Sequence, residues 1–493
     1  VQALRTSQNG DTVAYNASAF KVSTDADVEG LLKKMPGITI SNGQVEAQGE
    51  QVKKIFVDGK EFFGEDVSTA LNSLPAQAVD RIEVFNKLSD NAEFSGMDDG
   101  EGFKAINIVT HSNMRQGVFG KLYGGYGYQP DIDGAPAEMN FAGADVYQPQ
   151  VSDVTSHHKF NLGGNVNLFH GNSRVSVIGL FNNVNQQNFS FEDILGVTGG
   201  GGGMGPGRGV GRYMVRPQSG VARVGSIGVQ YSDSWGKNDA LKLNGSYFFN
   251  DTNTRNKSLL QKWYEAPSPE DYLEQEGESE THNANHRLNL RLDWNINMWN
   301  HLSLRYNMLH ADADAGSNTA QSFYFTGSEY TNINRTHSVV AELNTSMDWG
   351  SNALRIGYTR LKDGRLTPES LPAVIINGLG EKGNGTATIG TSPYSGRNML
   401  KQDVFIFGDD VTLSIGKHLF TVGTSNEVYR ADNLYLANAR GTYTYASLDD
   451  FLADNASKYQ YGYFADGKQN PPMTTGQFAV YAQDEVYLAG DGK

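Results

Sequence analysis

The side chains that could do chemistry are few, and their spacing argues against catalysis. His282 and His286 share one face of an alternating run, but no metalloprotease Glu stands between them. His157-His158 has no third metal ligand nearby in sequence. Asp131-Ile132-Asp133-Gly134 and Asp312-Ala313-Asp314-Ala315-Gly316 resemble pieces of calcium loops. Neither has the later Glu that completes the cage, so both read as solvated loops. Asp98-Asp99-Gly100-Glu101 reads as a charged turn. The run Gly199 to Gly203, with Gly205, Gly207, Gly209 and Gly211, is not a phosphate cradle, because no Gly-Lys-Ser/Thr follows it. It reads as a long outer loop, made locally cationic by Arg208, Arg212 and Arg216, which are candidates for gripping an anionic ligand. The chain has no cysteine, which excludes disulfides, thiolate metal sites and cysteine nucleophiles. No Ser/His/Asp arrangement carries a local signature. The expectation is a protein without enzymatic activity, cofactor or metal.

The bulk properties narrow the class further. The chain has 493 residues and a formal net charge of −15, a poor balance for tracking a phosphate backbone, so no nucleic-acid partner is expected. Mean hydropathy is −0.47, and no stretch approaches the length of apolar residues that a membrane helix needs. A membrane barrel is not excluded, because its lipid-facing residues alternate with polar ones and average out. The chain begins at Val1 without a Met or a leader pattern, so either a signal peptide has been removed or this is an internal piece.

The elements that must position these residues are of two kinds. Up to about residue 112 the pattern is a small mixed α/β domain. Asp25 is placed to cap a helix whose apolar positions Val28, Leu31, Leu32 and Met35 fall at i, i+3, i+4 and i+7, and Pro36-Gly37 stops it. Strand-like runs follow at 37–40, 44–47, 55–59, 81–85 and 106–110, with a weak helix from Asp66 to Leu74.

From about Gly117 the period becomes two. Leu288, Leu290, Leu292, Trp294, Ile296 and Met298 fall on one face, and Arg287, Asn289, Arg291, Asp293, Asn295 and Asn297 on the other. Such a run exceeds an ordinary strand and matches the ~9–11 residues that a tilted strand needs to cross a bilayer. Short turns at 171–173, 236–238, 299–301, 350–352 and 416–417 alternate with long connections near 129–156, 186–218, 251–280, 311–336, 362–403 and 429–476. Outer-membrane barrels have short turns on one side and long loops on the other. Trp235, Trp299 and Trp349 each sit beside a short turn, where an interfacial girdle would lie. The pattern predicts about twelve strands, beginning near 117, 159, 174, 221, 240, 286, 302, 338, 353, 404, 418 and 477. A water-soluble sandwich would also alternate, but with shorter strands.

The first segment resembles the plug of a TonB-dependent outer-membrane receptor. Leu31 to Ile38, with Pro36 and Gly37, is similar to the plug's helix and turn. Ile55 to Lys60, with Asp58 and Gly59, is similar to its V-D-G hairpin. Leu74-Pro75-Ala76 followed by Val79 to Val84, with Arg81 and Glu83, is similar to its V-x-R-I-E-V strand, and Ala105 to Thr110 to its closing strand. The stretches Asn86 to Gly96 and Asn182 to Phe189 are similar to one branch of such receptors.

The resemblance implies a mainly β protein: a transmembrane antiparallel β-barrel (residues 113–493) with a small N-terminal α/β plug (1–112) in its lumen. Such receptors have 22 strands. About twelve are present, so a partial barrel is expected, with a native 12-strand barrel as the alternative. Arg287, Arg291 and Asp293 are then lumen-facing candidates, and Pro36, Gly37, Asp58, Gly59, Arg81 and Glu83 structural or gating residues of the plug. Implied partners are outer-membrane lipid, an unidentified extracellular ligand and TonB. The TonB box is not found in Val1 to Asp11. The implied place is the outer membrane of a Gram-negative bacterium, with loops extracellular and the plug at the periplasmic side of the lumen. Uptake of a specific ligand is the expected function. A plugged barrel serving as an accessory subunit among other outer-membrane proteins, or a soluble β-rich adhesin, are the alternatives.

Overall fold

The computed structural model describes residues 5–23, 26–41, 44–62, 67–72, 74–89, 102–111, 116–130, 157–184, 220–263, 272–321, 324–366, 373–379, 385–389, 397–436, 441–462 and 471–486. Two large sheets account for most of them.

The N-terminal sheet is built from β1 (Thr6–Asn9), β2 (Thr12–Asn16), β3 (Ile38–Ser41), β4 (Gln44–Ala47), β5 (Glu50–Val57), β6 (Lys60–Glu61), β7 (Val79–Lys87) and β8 (Phe103–Thr110). Their order is β1-β2-β7-β8-β5-β4-β3, with β6 on β5. Only β5 and β8 run parallel. Two short helices, α1 (Val28–Leu32) and α2 (Val67–Asn72), join the packing. The stripe that predicts α1 is its buried face: Val28, Leu31 and Leu32 have no more than 1% exposure. They meet Leu71, Leu74, Ile55, Ile82, Ile106 and Ile108 in one core. Burial of this kind contributes roughly 1.5–3 kcal/mol per large side chain.

The second sheet is the wall. It runs through β9 (Gly117–Tyr128), β10 (His158–His170), β11 (Ser173–Asn182), β12 (Val221–Trp235), β13 (Leu241–Trp263), β14 (Tyr272–Asn297), β15 (Asn300–Gln321), β16 (Tyr324–Met347) and β17 (Gly350–Leu366). After β18 (Ala373–Leu379) and β19 (Gly385–Ile389), it resumes with β20 (Arg397–Ile415) and β21 (His418–Leu436). Then come β22 (Thr442–Tyr445), α3 (Leu448–Leu452), β23 (Lys458–Gln460) and the last wall strand, β24 (Met473–Val486). The wall has twelve strands in the order β24-β21-β20-β17-β16-β15-β14-β13-β12-β11-β10-β9, every neighbour antiparallel. Among the described residues β9 and β24 are its two ends. The remaining four strands form a small separate sheet, β19-β18-β22-β23.

Alternation gives the wall two unlike faces. One carries bare apolar side chains, among them Leu122 (80% exposed), Ile356 (54%), Phe405 (54%) and Phe478 (72%). A continuous face of this kind is untenable in water and fits hydrocarbon. Trp235, Trp294, Trp299 and Trp349 stand on it or at its margin, close to the short turns. The other face is polar, and many of its groups pair with one another. Ser176 donates to Asn167 (2.6 Å), Gln230 to Asn244 (2.8 Å) and Ser226 to Asn250 (2.5 Å). Buried polar groups need such partners.

Several details differ from the sequence expectations. Asp27, not Asp25, caps α1, its Oδ1 accepting from Gly30 N at 2.9 Å; Asp25 lies outside the described residues. The helix stops at Leu32, and Met35 is buried in the turn that follows. The hairpin β1–β2 was not expected. Much of the stretches 251–280 and 311–336, expected as long connections, is strand, and β13 pairs with β14 from Leu241–Trp294 out to Trp263–Tyr272. The polar runs there lack a lipid-facing apolar set, so period-two hydrophobicity disappears while backbone pairing continues. Parts of 362–403 and 429–476 hold the small sheet and α3 rather than plain loop. Asp312 to Gly316 therefore lies within β15, not in a loop.

Candidate functional site

The two sheets meet at the turn that ends β5. Asp58 and Gly59 form a two-residue loop with φ of +48° and +77°. Both central residues in the left-handed region are the mark of a type I′ hairpin, which Asp-Gly favours. The turn aims the Asp58 carboxylate back at β8, where it accepts from Thr110 N (2.8 Å) and Thr110 Oγ1 (2.7 Å). Gly59 N donates to Asn107 Oδ1 (2.9 Å), and Asn107 Nδ2 donates to Glu83 Oε2 (2.8 Å). Arg81 Nε donates to the other oxygen of Glu83 (2.8 Å). Four of the six residues singled out in the first segment, Asp58, Gly59, Arg81 and Glu83, thus share one network across three strands. Pro36 and Gly37 lie apart from it. The Pro36 carbonyl accepts from the Tyr15 hydroxyl (2.9 Å), and Gly37, at φ +78°, accepts from Gln48 N (2.8 Å).

The wall supplies the other half of the contact. Arg174, at the start of β11, donates from Nη1 to the Val57 carbonyl (2.9 Å) and from Nη2 to Asp58 Oδ2 (3.2 Å). Its guanidinium lies 4.6 Å from the centroid of the Phe169 ring. Both charged side chains are buried, Arg174 at 7% and Asp58 at 9% exposure. Beside them, Lys60 Nζ donates to the Asn172 carbonyl (2.7 Å) in the short turn between β10 and β11. Burial, and then the Arg174 charge, hold the Lys60 ammonium below the usual lysine range.

A second bridge lies on β6 and β14. Glu61 sits between Lys54 (3.2 Å) of its own sheet and Arg291 (3.4 Å) of the wall. Arg291 also holds Asp293 in a two-pronged bond (2.7 and 3.1 Å), and Asn244 Nδ2 donates to the Glu61 carbonyl (3.2 Å). His301 approaches Asp293 (3.7 Å) and shares a hydrogen bond with Asn295 (2.7 Å). These groups border a cavity of ≈580 Å³ between β5–β6 and strands β12 to β15. Apolar contact continues the join: Phe169, Ile178 and Phe248 of the wall belong to the same core cluster as the N-terminal sheet.

The remaining candidates fall elsewhere. Arg287 is half-buried on β14, beside Phe248 and Leu309 in register. Arg208, Arg212, Arg216, the glycine run, Asp131 to Gly134 and Asp98 to Glu101 lie outside the described residues. His282 shares a hydrogen bond with Asp251 (2.7 Å), and His286 with the Tyr247 hydroxyl (2.8 Å), so each already has a local partner. Among the described residues no group of three or more His, Cys, Asp or Glu is placed to hold a metal ion. Among the described residues no helix is long and apolar enough to cross a membrane. Sequence reasoning missed Arg174 and Glu61. The available signals were a cation directly after a short turn and an acid two residues beyond the Asp-Gly turn.

An antiparallel wall with a lipid-type outer face, holding a small sheet against its polar inner face, defines a β-barrel protein of the outer membrane. Residues 233–488 match the family model of the outer membrane beta barrel domain, more than half of the chain, and the chain belongs to that family. No curated protein matches it. Among solved structures it is similar to the ferric citrate transporter FecA in its unliganded form, with 10% identity, a TM-score of 0.36, and 97% of this chain and 61% of that one covered. The siderophore receptor PiuA from Acinetobacter baumannii gives 12%, 0.35, 96% and 61%. The ferric yersiniabactin uptake receptor FyuA from Yersinia pestis gives 10%, 0.36, 99% and 63%. The chain spans about three fifths of the length of these structures.

Proposed function

We propose that the protein is an outer-membrane uptake receptor in which the N-terminal sheet acts as a plug. The observation that carries this reading is the buried Asp58–Arg174 contact, which fastens the sheet to the polar face of the wall at 3.2 Å. A sheet held by two ion bridges and a small apolar seam is fixed at rest yet removable, because desolvation offsets most of what a buried ion pair contributes to stability. Ligand captured at the long-connection side would weaken this fastening. The periplasmic TonB protein would then pair with an N-terminal segment by strand addition and pull. β1 is the outermost strand of its sheet, the place where an added strand fits. Arg287, Arg291 and Asp293 would line the lumen, with the loops extracellular and the plug at the periplasmic side of the lumen. Residues 1–112 would be the plug and 113–493 the N-terminal part of the barrel.

The absence of native cysteine makes the test clean. Lys60→Cys with Asn172→Cys, bridged by a disulfide-containing bismaleimide that spans the reach of the replaced lysine, ties the turn of the plug to the wall. The crosslink should stop uptake of the cognate ligand, and reductant should restore it. Uptake that proceeds equally in the crosslinked form would remove the plug reading.

A further inference from the structure

The lipid-facing side of the wall carries a band of charge that none of these contacts uses. In β15 to β21 the register places His310, Arg335, Lys362 and Lys401 side by side on four successive strands. The next row towards the short turns holds His337, Arg360 and Arg430, with Asp403 between the two arginines. Parity with Val339, Ile356 and Phe405, all exposed apolar residues of the same strands, puts both rows on the outward face. Arg335, Arg360, Lys401 and Arg430 are exposed.

Directly facing residues on adjacent strands lie about 5 Å apart, and like charges there destabilise a sheet. Arg335, Lys362 and Lys401 are three such neighbours in line. Asp312 meets Arg335 (3.2 Å), and Asp403 lies 3.9 Å from Arg360. Among the described residues Lys362 and Lys401 make no ion pair. The acids Asp312, Asp403 and Asp432 leave this belt net positive in a chain whose overall charge is −15.

Its height is set by what lies beneath. The row below holds Tyr306, Val339, Tyr358 and Phe405. Tyr306 shares a hydrogen bond with His337 (2.9 Å), and Tyr358 donates to Asp403 (2.7 Å). Tyrosines with apolar rings and tethered hydroxyls mark the boundary between hydrocarbon and headgroups. On β16 the outward-facing positions from Met347, beside the short turn, up to Val339 span about 27 Å along the strand. Tilted by ~40°, that crosses roughly 20 Å, close to the apolar band of such barrels. The cationic rows therefore stand at headgroup level.

Resting on the reading of this sheet as a membrane wall, we propose that the Arg335–Lys362–Lys401 row binds the phosphate groups of anionic lipid in the leaflet on the long-connection side. The phosphate oxygens supply the counter-charge that Asp312 beside Arg335 and Asp432 opposite Lys401 leave short, and the aromatic row below seats the acyl chains.

The test uses the full chain in detergent, read by native mass spectrometry with dioleoyl phosphatidic acid, with phosphatidylcholine, and with inorganic phosphate alone. The phosphatidic acid adduct should exceed the phosphatidylcholine adduct by at least about tenfold, since each basic side chain near an anionic surface gives roughly a fivefold preference. Inorganic phosphate should leave no adduct. The triple variant Arg335→Gln, Lys362→Gln, Lys401→Gln should drop to the phosphatidylcholine level while keeping the heat-modifiable gel mobility of a folded barrel. If the triple variant lost that mobility, Lys362→Gln and Lys401→Gln singly should each still lower the preference. Equal retention of the two lipids, an unchanged preference in the variants, or binding of inorganic phosphate would each overturn the proposal. Insertion of the wild type into phosphatidylcholine vesicles separates the two readings. A chain that inserts but shows no preference sinks the proposal alone, and one that does not insert sinks the wall with it.

Discussion

Asp58 and Arg174 meet 3.2 Å apart across 116 residues of sequence, joining the tip of a hairpin in one sheet to the first residues of a strand in the other. Net stabilisation by a buried ion pair is small, because desolvation offsets the attraction, but breaking one side leaves the partner charged and dry. The pair therefore fixes position more than it adds stability.

Asp58→Asn should accordingly destabilise the N-terminal sheet by about 3–5 kcal/mol. Hydrogen exchange of the amides in β5 and β8 reports it directly, since Thr110 N loses a charged acceptor. Protection unchanged from the wild type would show that the carboxylate is not what holds the turn.

Glu61 and Arg291 should be energetically coupled. Contacting charged residues show interaction energies of about 0.5–3 kcal/mol in double-mutant cycles. Glu61→Gln, Arg291→Gln and the double variant, compared by the denaturant midpoint for loss of the N-terminal sheet, should give a coupling inside that range. Strict additivity would mean that the 3.4 Å contact contributes nothing.

Lys60 makes the junction pH-dependent. Its folded-state pKa is lowered, first by burial and then by Arg174, from the ordinary value of 10.5. The unfolded chain thus binds the proton more readily than the folded one, and stability rises with pH through the window just below 10.5. As the pH rises towards 10.5 the wild type should gain stability relative to Lys60→Met. Parallel pH profiles for the two proteins would refute this.

The outward face has a sharper test. Ile356→Arg places a guanidinium where a side chain is 54% exposed on the lipid side. One row inside the aromatic boundary it should cost about 1–3 kcal/mol, measured as folding into phosphatidylcholine vesicles. A neutral effect would mean that Ile356 does not meet hydrocarbon.

The wall was legible because its signal is redundant. Leu288 to Met298 alternate without exception, and the short turns recur beside Trp235, Trp299 and Trp349. The twelve strands follow from that alone. Their length did not. Past His286 the outward residues of β14 become Ala284 and His282, and no hydrophobic period separates strand from loop. Only backbone pairing with β13 and β15 shows the strand continuing to Tyr272. In the first sheet the Asp-Gly turn, Arg81 and Glu83 were singled out through the resemblance to a receptor plug. Arg174 was not, because nothing local marks which of the wall's cations meets a carboxylate 116 residues away. Long-range complementarity has no period.

The strand lengths carry one more consequence. β14 has 26 residues, roughly 88 Å at about 3.4 Å per residue, and the bilayer accounts for only about a third of that. The rest stands clear of the lipid as unbroken ladders shared with β13 and β15. Such a palisade transmits force without a hinge: tilting its rim would shear the same hydrogen-bonded rows that hold Arg291 against Glu61. On the proposed reading, contact at the rim and release of the N-terminal sheet would be two ends of one stiff lever.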